Sequence, residues 1–179
     1  MAPHPVVLYP DPRLRQKADP VWKWDDALQA LARDVLDTMS AVSAVGLTAV
    51  HIGVPFRLMV IRLEAEAEPR IYVNPEVLWT SPEVAAHTEG SVSMPGVTEV
   101  VERAAAVRIR YRDLSEVSHE EEANGFLAAC ILHEIDQLDG IFWLERLSRL
   151  RRERAQALRK GAAGQGDLIW AAPGQSISC

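Results

Sequence analysis

The sequence predicts an α+β fold, and three observations carry that prediction. Strand-like runs come in groups between helices instead of alternating with them one for one. Val107, Ile109 and Tyr111 alternate with Arg108, Arg110 and Arg112, the period-two pattern of a half-buried antiparallel strand with a solvated face. Ala128 to Leu138 is an apolar run at helical period that abruptly carries His133, Glu134, Asp136 and Gln137.

The elements follow in order. Residues 1–24 are proline-rich and read as an extended arm with a turn at Tyr9-Pro10-Asp11-Pro12. Asp26 with Gln29 resembles a capping box, and Leu28, Leu31, Ala32, Val35, Leu36, Met39 and Val42 mark one face of a helix over about 26–42. Small residues from Ser43 to His51 suggest backbone passing close to another element. Arg57–Leu63 reads as a buried strand, and Glu64–Pro69 as an acidic surface turn. Arg70–Trp79 is a second strand, at an edge or bulged because Asn74-Pro75 interrupts it. If the segment after Pro82 is extended, His87, Glu89 and Ser91 share a face. Ser118–Ala123 is a short acidic strand, the central helix spans about 125–138, and Gly140 stops it. A charged helix over about 145–160 completes a single expected domain, 1–160, with a loosely ordered tail at 161–179 that includes Trp170.

Composition limits the function classes. The net charge of -6 and pI near 5.4 argue against nucleic acid or an anionic membrane as a partner, and alternation alone explains the three arginines. No run is long and apolar enough for a membrane span, so the expected location is the cytoplasm. Cys130 and Cys179 make no disulfide framework; Cys130 reads as helix packing.

On the central helix, His133 and Gln137 are four residues apart and point the same way, with Glu134 beside them. Two histidines at that spacing with the glutamate would read as a zinc-type helix, but the second histidine is replaced by Gln137. With Ala44-Val45-Gly46-Leu47-Thr48-Ala49-Val50-His51 and Glu89-Gly90-Ser91-Val92-Ser93, this motif resembles, in order and spacing, the three motifs of the peptide deformylase family. The resemblance runs from about Val7 to Lys160. Asp11-Pro12-Arg13-Leu14-Arg15, Asn74-Pro75-Glu76 and Gly140 agree with it.

The resemblance implies antiparallel sheets packed around the central HExxQ helix, and hydrolysis of the N-formyl group from formyl-methionyl nascent chains. It implies a divalent iron or zinc ion at the positions of Ser91, His133 and Gln137. Glu134 takes the general-base place, and His51 and the Val92 amide take the oxyanion places. Val45, Gly46, Gly90, Phe126 and Ala129 fall at substrate-groove positions. Ser91 stands where the family has cysteine, Gln137 where it has histidine, and His51 where it has glutamine. Neutral hydroxyl and amide donors suit such a metal poorly. Three readings follow. In the first the metal is absent or weakly bound, activity is impaired, and His133 hydrogen-bonds Gln137 or Ser91. In the second His51, His87 and His133 rebuild a metal site, with Glu134 still the base. In the third the groove holds N-terminal peptides without cutting them. An ion pair between Glu89 and Arg103 is expected to brace the Ser91 loop. Oligomeric state stays open.

Overall fold

A computed structural model of the chain describes residues 3–63, 66 and 68–162. Expectations for Trp170, Cys179 and most of the 161–179 tail, and for part of the Glu64–Pro69 turn, lie outside these residues. Ten named elements follow in order: α1 (Asp26–Ala41), β1 (Gly46–Thr48), β2 (Leu58–Ile61), β3 (Arg70–Thr80), β4 (Val84–Gly90), β5 (Thr98–Ala104), β6 (Ala106–Arg112), β7 (Ser118–Asn124), α2 (Gly125–Leu138) and α3 (Arg149–Ala162). All strand pairings are antiparallel, in a five-stranded sheet of order β1-β2-β3-β6-β7 and a two-stranded sheet β4-β5.

Strand β2 is apolar without alternation because both its faces are covered. Met59 and Ile61 join the core formed with α2, while Leu58 and Val60 pack with Leu28, Ala32, Val35 and Met39 of α1. The cap of α1 is Asp25, not Asp26: its carboxylate accepts from the amides of Ala27 and Leu28. Strand β3 is bulged, as Asn74-Pro75 suggested, but it is not an edge, since it pairs with β2 and β6. The register slips between Val73 and Glu76, so the missing proline N–H leaves no gap in the ladder. Asn74, at φ 52°, uses its amide to bind both backbone groups of Val21 and so pins the N-terminal arm.

The arginines of β6 do not form an open basic stripe. Arg108 pairs with Glu122, Arg110 with Glu120 and Arg112 with Glu116, at 2.9, 3.1 and 2.9 Å. The last helix starts later than expected because Trp143–Arg146 is a separate 3-10 turn, and it runs on to Ala162, past the expected start of the tail. Among the described residues no helix is long and apolar enough to cross a membrane.

Helix α2 occupies the centre. From Ala128 to Leu138 every residue except Leu132 is buried, Cys130 included. It ends where expected: the amides of Gly140 and Ile141 close on the carbonyls of Gln137 and Asp136. Gly140 sits at φ 77°, and a Cβ there would lie 2.6 Å from the Arg15 carbonyl oxygen. The Ala18 amide also donates to the Leu138 carbonyl, so the arm is laid against the end of α2.

Candidate functional site

Polar side chains on the buried part of a helix usually find hydrogen-bond partners. Helix α2 carries four in its last two turns: His133, Glu134, Asp136 and Gln137. His133 shares a hydrogen between its Nδ1 and Glu89 Oε2 at 2.9 Å. Asp136 accepts from Arg103 Nη1 at 2.8 Å and from the Arg146 guanidinium. Gln137 donates through Nε2 to the Leu14 carbonyl at 2.8 Å; a carbonyl only accepts, so the amide orientation is settled. Glu134 is fully buried, and neither carboxyl oxygen has a hydrogen-bond partner among the described residues. The expected bond from His133 to Gln137 or Ser91 is therefore not made. An ionised carboxylate outcompetes a neutral amide or hydroxyl for an imidazole N–H, and the Leu14 carbonyl takes the amide.

The expected Glu89–Arg103 ion pair is present and two-pronged, with Arg103 Nη2 donating to Glu89 Oε2 at 2.8 Å and Nε donating to Oε1. It belongs to a longer chain that runs from the interior to the surface: buried His133, Glu89, Arg103 and Asp136, then exposed Arg146. Burial pushes the Glu89 carboxyl up, but the hydrogen bonds from His133 and Arg103 outweigh it and bring it down to about 2. Sequence reasoning missed Asp136 and Arg146. An acid inside an apolar helix run was the available signal that a cation must come to it.

Ser91 lies in the turn after β4. Its Oγ accepts from the Ser93 amide at 3.2 Å and its carbonyl accepts from the Met94 amide, while the buried Ser93 Oγ has no partner among the described residues. Val92 is buried beside it. His51 is in the 3-10 turn Ala49–Ile52, and its Nδ1 accepts from the Thr48 amide at 3.1 Å. A backbone N–H can only donate, so a neutral His51 carries its proton on Nε2. That Nε2 is buried and has no hydrogen-bond partner among the described residues. Burial, with His133 adding to it, lowers the His51 pKa to about 3, so the ring is neutral at ordinary pH.

Strand β1 meets α2 at Gly46, where a Cβ would fall 2.5 Å from Glu134 Oε1; only glycine lets the strand pass that carboxyl. Gly90 is less tight: a Cβ there would lie 3.0 Å from the Val97 carbonyl. Val45 and Phe126 are half-buried and Ala129 is buried. His87 does share a face with Glu89, but its ring lies against Phe126, with centroids 6.2 Å apart. Among the described residues no three His, Cys, Asp or Glu side chains gather to hold a metal, so His51, His87 and His133 do not form one group. A separate cleft of about 490 Å³, lined by Trp22, Leu28, Leu31 and Phe56, involves none of these residues.

Residues 3–153 match the polypeptide deformylase family. The chain belongs to the peptide deformylase family. A peptide deformylase-like protein of Brucella melitensis is 56% identical over 149 residues, covering 83% of this chain and 91% of that one. The peptide deformylase of Legionella pneumophila superposes with a TM-score of 0.86 at 35% identity, over 91% of this chain and 96% of that one. The Synechococcus elongatus peptide deformylase, solved with actinonin, gives 0.84 at 34% identity, over 89% and 87%. The deformylase fold expected from the three motifs is thus the fold found.

Burial raises the Glu134 carboxyl to about 7, against 4.5 ordinarily, an effect that His133 and Arg103 only partly offset. Its folded value lies above its unfolded one. Stability from the neutral form is therefore complete below about pH 4.5 and lost as pH rises through about 7. Glu134→Gln, which cannot ionise, should be more stable than the unaltered chain by about 2–3 kcal/mol near pH 8 and nearly equal near pH 4. Urea denaturation at the two pH values checks this; an equal difference at both would mean that Glu134 titrates normally.

Proposed function

We propose that this chain is a deformylase-like protein whose metal-dependent hydrolysis is impaired and whose groove still receives N-terminal peptides. One observation above all supports the reading: the Gln137 side chain, at the position of a metal ligand in the family, is turned to the Leu14 carbonyl as a hydrogen-bond donor. Ser91 likewise serves the Ser93 amide. The donor set does not fit a borderline divalent ion. It offers one imidazole, a neutral hydroxyl whose proton is costly to remove, and a neutral amide, where thiolate and a second imidazole would bind such ions. The rebuilt three-histidine site gains no support, since His51 spends Nδ1 on Thr48 and His87 lies by Phe126. Peptide binding is supported by the retained glycines at positions 46 and 90 and by the family structure that holds actinonin, a peptide mimic.

Metal analysis of the full chain, purified anaerobically without chelator, tests the reading together with turnover of a formyl-methionyl tripeptide. The expected result is far less than one ion per chain and no released formate. One tightly held ion with steady turnover would overturn it.

A further inference from the structure

The cleft of about 490 Å³ lies away from the polar site on α2, between the N-terminal arm, the start of α1 and the loop before β2. Its walls are Val21 and Trp22 of the arm, Leu28 and Leu31 of α1, and Val54 and Phe56 of the loop. Hydrogen bonds hold these walls in place. Asn74 binds both backbone groups of Val21, and Trp24 Nε1 donates to the Asp113 carbonyl at 2.9 Å. The Asp19 amide donates to the Pro55 carbonyl at 2.7 Å, and the Arg57 amide donates to the Asp19 carbonyl at 2.9 Å. The cleft is therefore a fixed feature of the fold, and its size is that of a small-molecule site. Its mouth is aromatic and wet: Trp22 is 81% exposed and Phe56 42%. Two charged residues also line it, Lys23 and Asp25. Asp25 Oδ1 is turned to the amides of Ala27 and Leu28, both at 3.1 Å, so its charge is met by the end of α1. Lys23 is exposed, and its ammonium makes no ion pair or hydrogen bond among the described residues.

We propose that this cleft binds a medium-chain aliphatic carboxylic acid, with the alkyl chain along the apolar walls and the carboxylate at Lys23. The cleft shares no residue with the site on α2, so the inference stands whether or not that site holds a metal. Five of the six wall side chains offer no hydrogen bond, and the sixth offers only the Trp22 indole N–H. Sugars, nucleobases and peptide backbone would leave their polar groups unmet there, whereas an alkyl chain has none to satisfy. The free charge decides the head group: a carboxylate gains an ion pair with Lys23, a neutral head gains nothing, and a cationic head meets a like charge. The walls are concave, which suits a single free acid rather than the face of a bilayer.

A magnetic-resonance titration of the full chain at about pH 7, where the acids are ionised, tests this with monomeric hexanoate, octanoate and decanoate. The comparison ligands are 1-octanol and octylammonium. Octanoate is expected to shift the Trp22 indole N–H, a resonance identified by its loss in Trp22→Phe. Affinity should rise roughly two- to fourfold with each added methylene. Octanoate should bind roughly threefold more tightly than octanol, and octylammonium more weakly than either, as an exposed ion pair implies. Lys23→Gln should remove that preference, and high salt should reduce it. Ala27, exposed on the same wall, gives the blocking variant: Ala27→Trp should abolish binding of all five, with an unchanged circular-dichroism spectrum confirming the fold. Binding of none, shifts confined to α2, or equal or tighter binding of octanol or octylammonium overturns the proposal. Self-association that Ala27→Trp abolishes, with no octanoate shift, would assign the cleft to a second copy and overturn it as well. So would sedimentation with phosphatidylglycerol vesicles in the absence of any response to the monomeric acids.

Discussion

The double variant Ser91→Cys, Gln137→His is expected to purify with about one divalent ion per chain and to release formate from formyl-methionyl peptides, where the reading proposed above expects the unaltered chain to do neither. The cysteine supplies an anionic sulfur that ionises readily beside a cation, and the histidine a second imidazole on the face of His133. Loss of a ligand's outer partner alone costs 10–100-fold in affinity, so restoring two ligands should raise metal affinity by roughly 10³-fold or more. A metal held there lowers the pKa of bound water from 15.7 to about 7. Glu134, buried beside Gly46 and without a hydrogen-bond partner among the described residues, is the group proposed to accept the proton. There is a cost: the Leu14 carbonyl loses the Gln137 donor, about 1–3 kcal/mol of stability. Each single variant should hold metal far more weakly than the pair. A well-folded double variant that takes up no metal would show that the pocket's shape, and not its donors, excludes the ion.

Arg103→Met should destabilise the chain by about 3–5 kcal/mol near neutral pH, the largest stability loss expected of any single change at the site. Arg103 is 6% exposed and bridges Glu89 to Asp136, so its removal leaves two buried carboxylates without their shared cation. The loss carries a pH signature. Glu89 has its folded value depressed to about 2 from 4.5, so its stabilisation is present above about pH 4.5 and lost as pH falls through 2. That contribution amounts to about 3 kcal/mol, part of it owed to His133. The gap between variant and unaltered chain should narrow markedly between about pH 5 and pH 3. Chemical denaturation across that range decides the matter; a gap that stays constant would make Arg103 a packing residue only. Loss of the Glu89 brace should also free the His133 ring, seen as broadening of its imidazole resonances.

Much of the fold was legible because its signals are local. The apolar face from Leu28 to Met39 and the alternation of Val107, Ile109 and Tyr111 each put a helix or strand where the structure has one. What failed was local too, but underdetermined. Asp25 and Asp26 are both good caps, and only the path of the arm decides which one is extended. Asn74-Pro75 was compatible with an edge or a bulge, and the choice depended on β6, more than thirty residues away, arriving to pair with the far side of β3. The helix expected from about residue 145 begins at Arg149 because Phe142, Trp143 and Leu144 are drawn into the core around α2 and hold the intervening turn.

For the site, the residues by themselves determined the family, which follows from three motifs in order, and they raised the expectation that Ser91 and Gln137 stand at metal-ligand positions of that family. They also raised the expectation of a Glu89–Arg103 pair, which the structure contains on the neighbouring strands β4 and β5. Only the tertiary structure decided where the leftover hydrogen bonds went: Gln137 to Leu14, 123 residues away in sequence, His133 to Glu89, and Glu134 to no group among the described residues. Hydrogen bonding is short-ranged and directional, so the partner of a buried polar group is whichever complementary atom the packed chain brings within about 3 Å, and no local pattern encodes that distance.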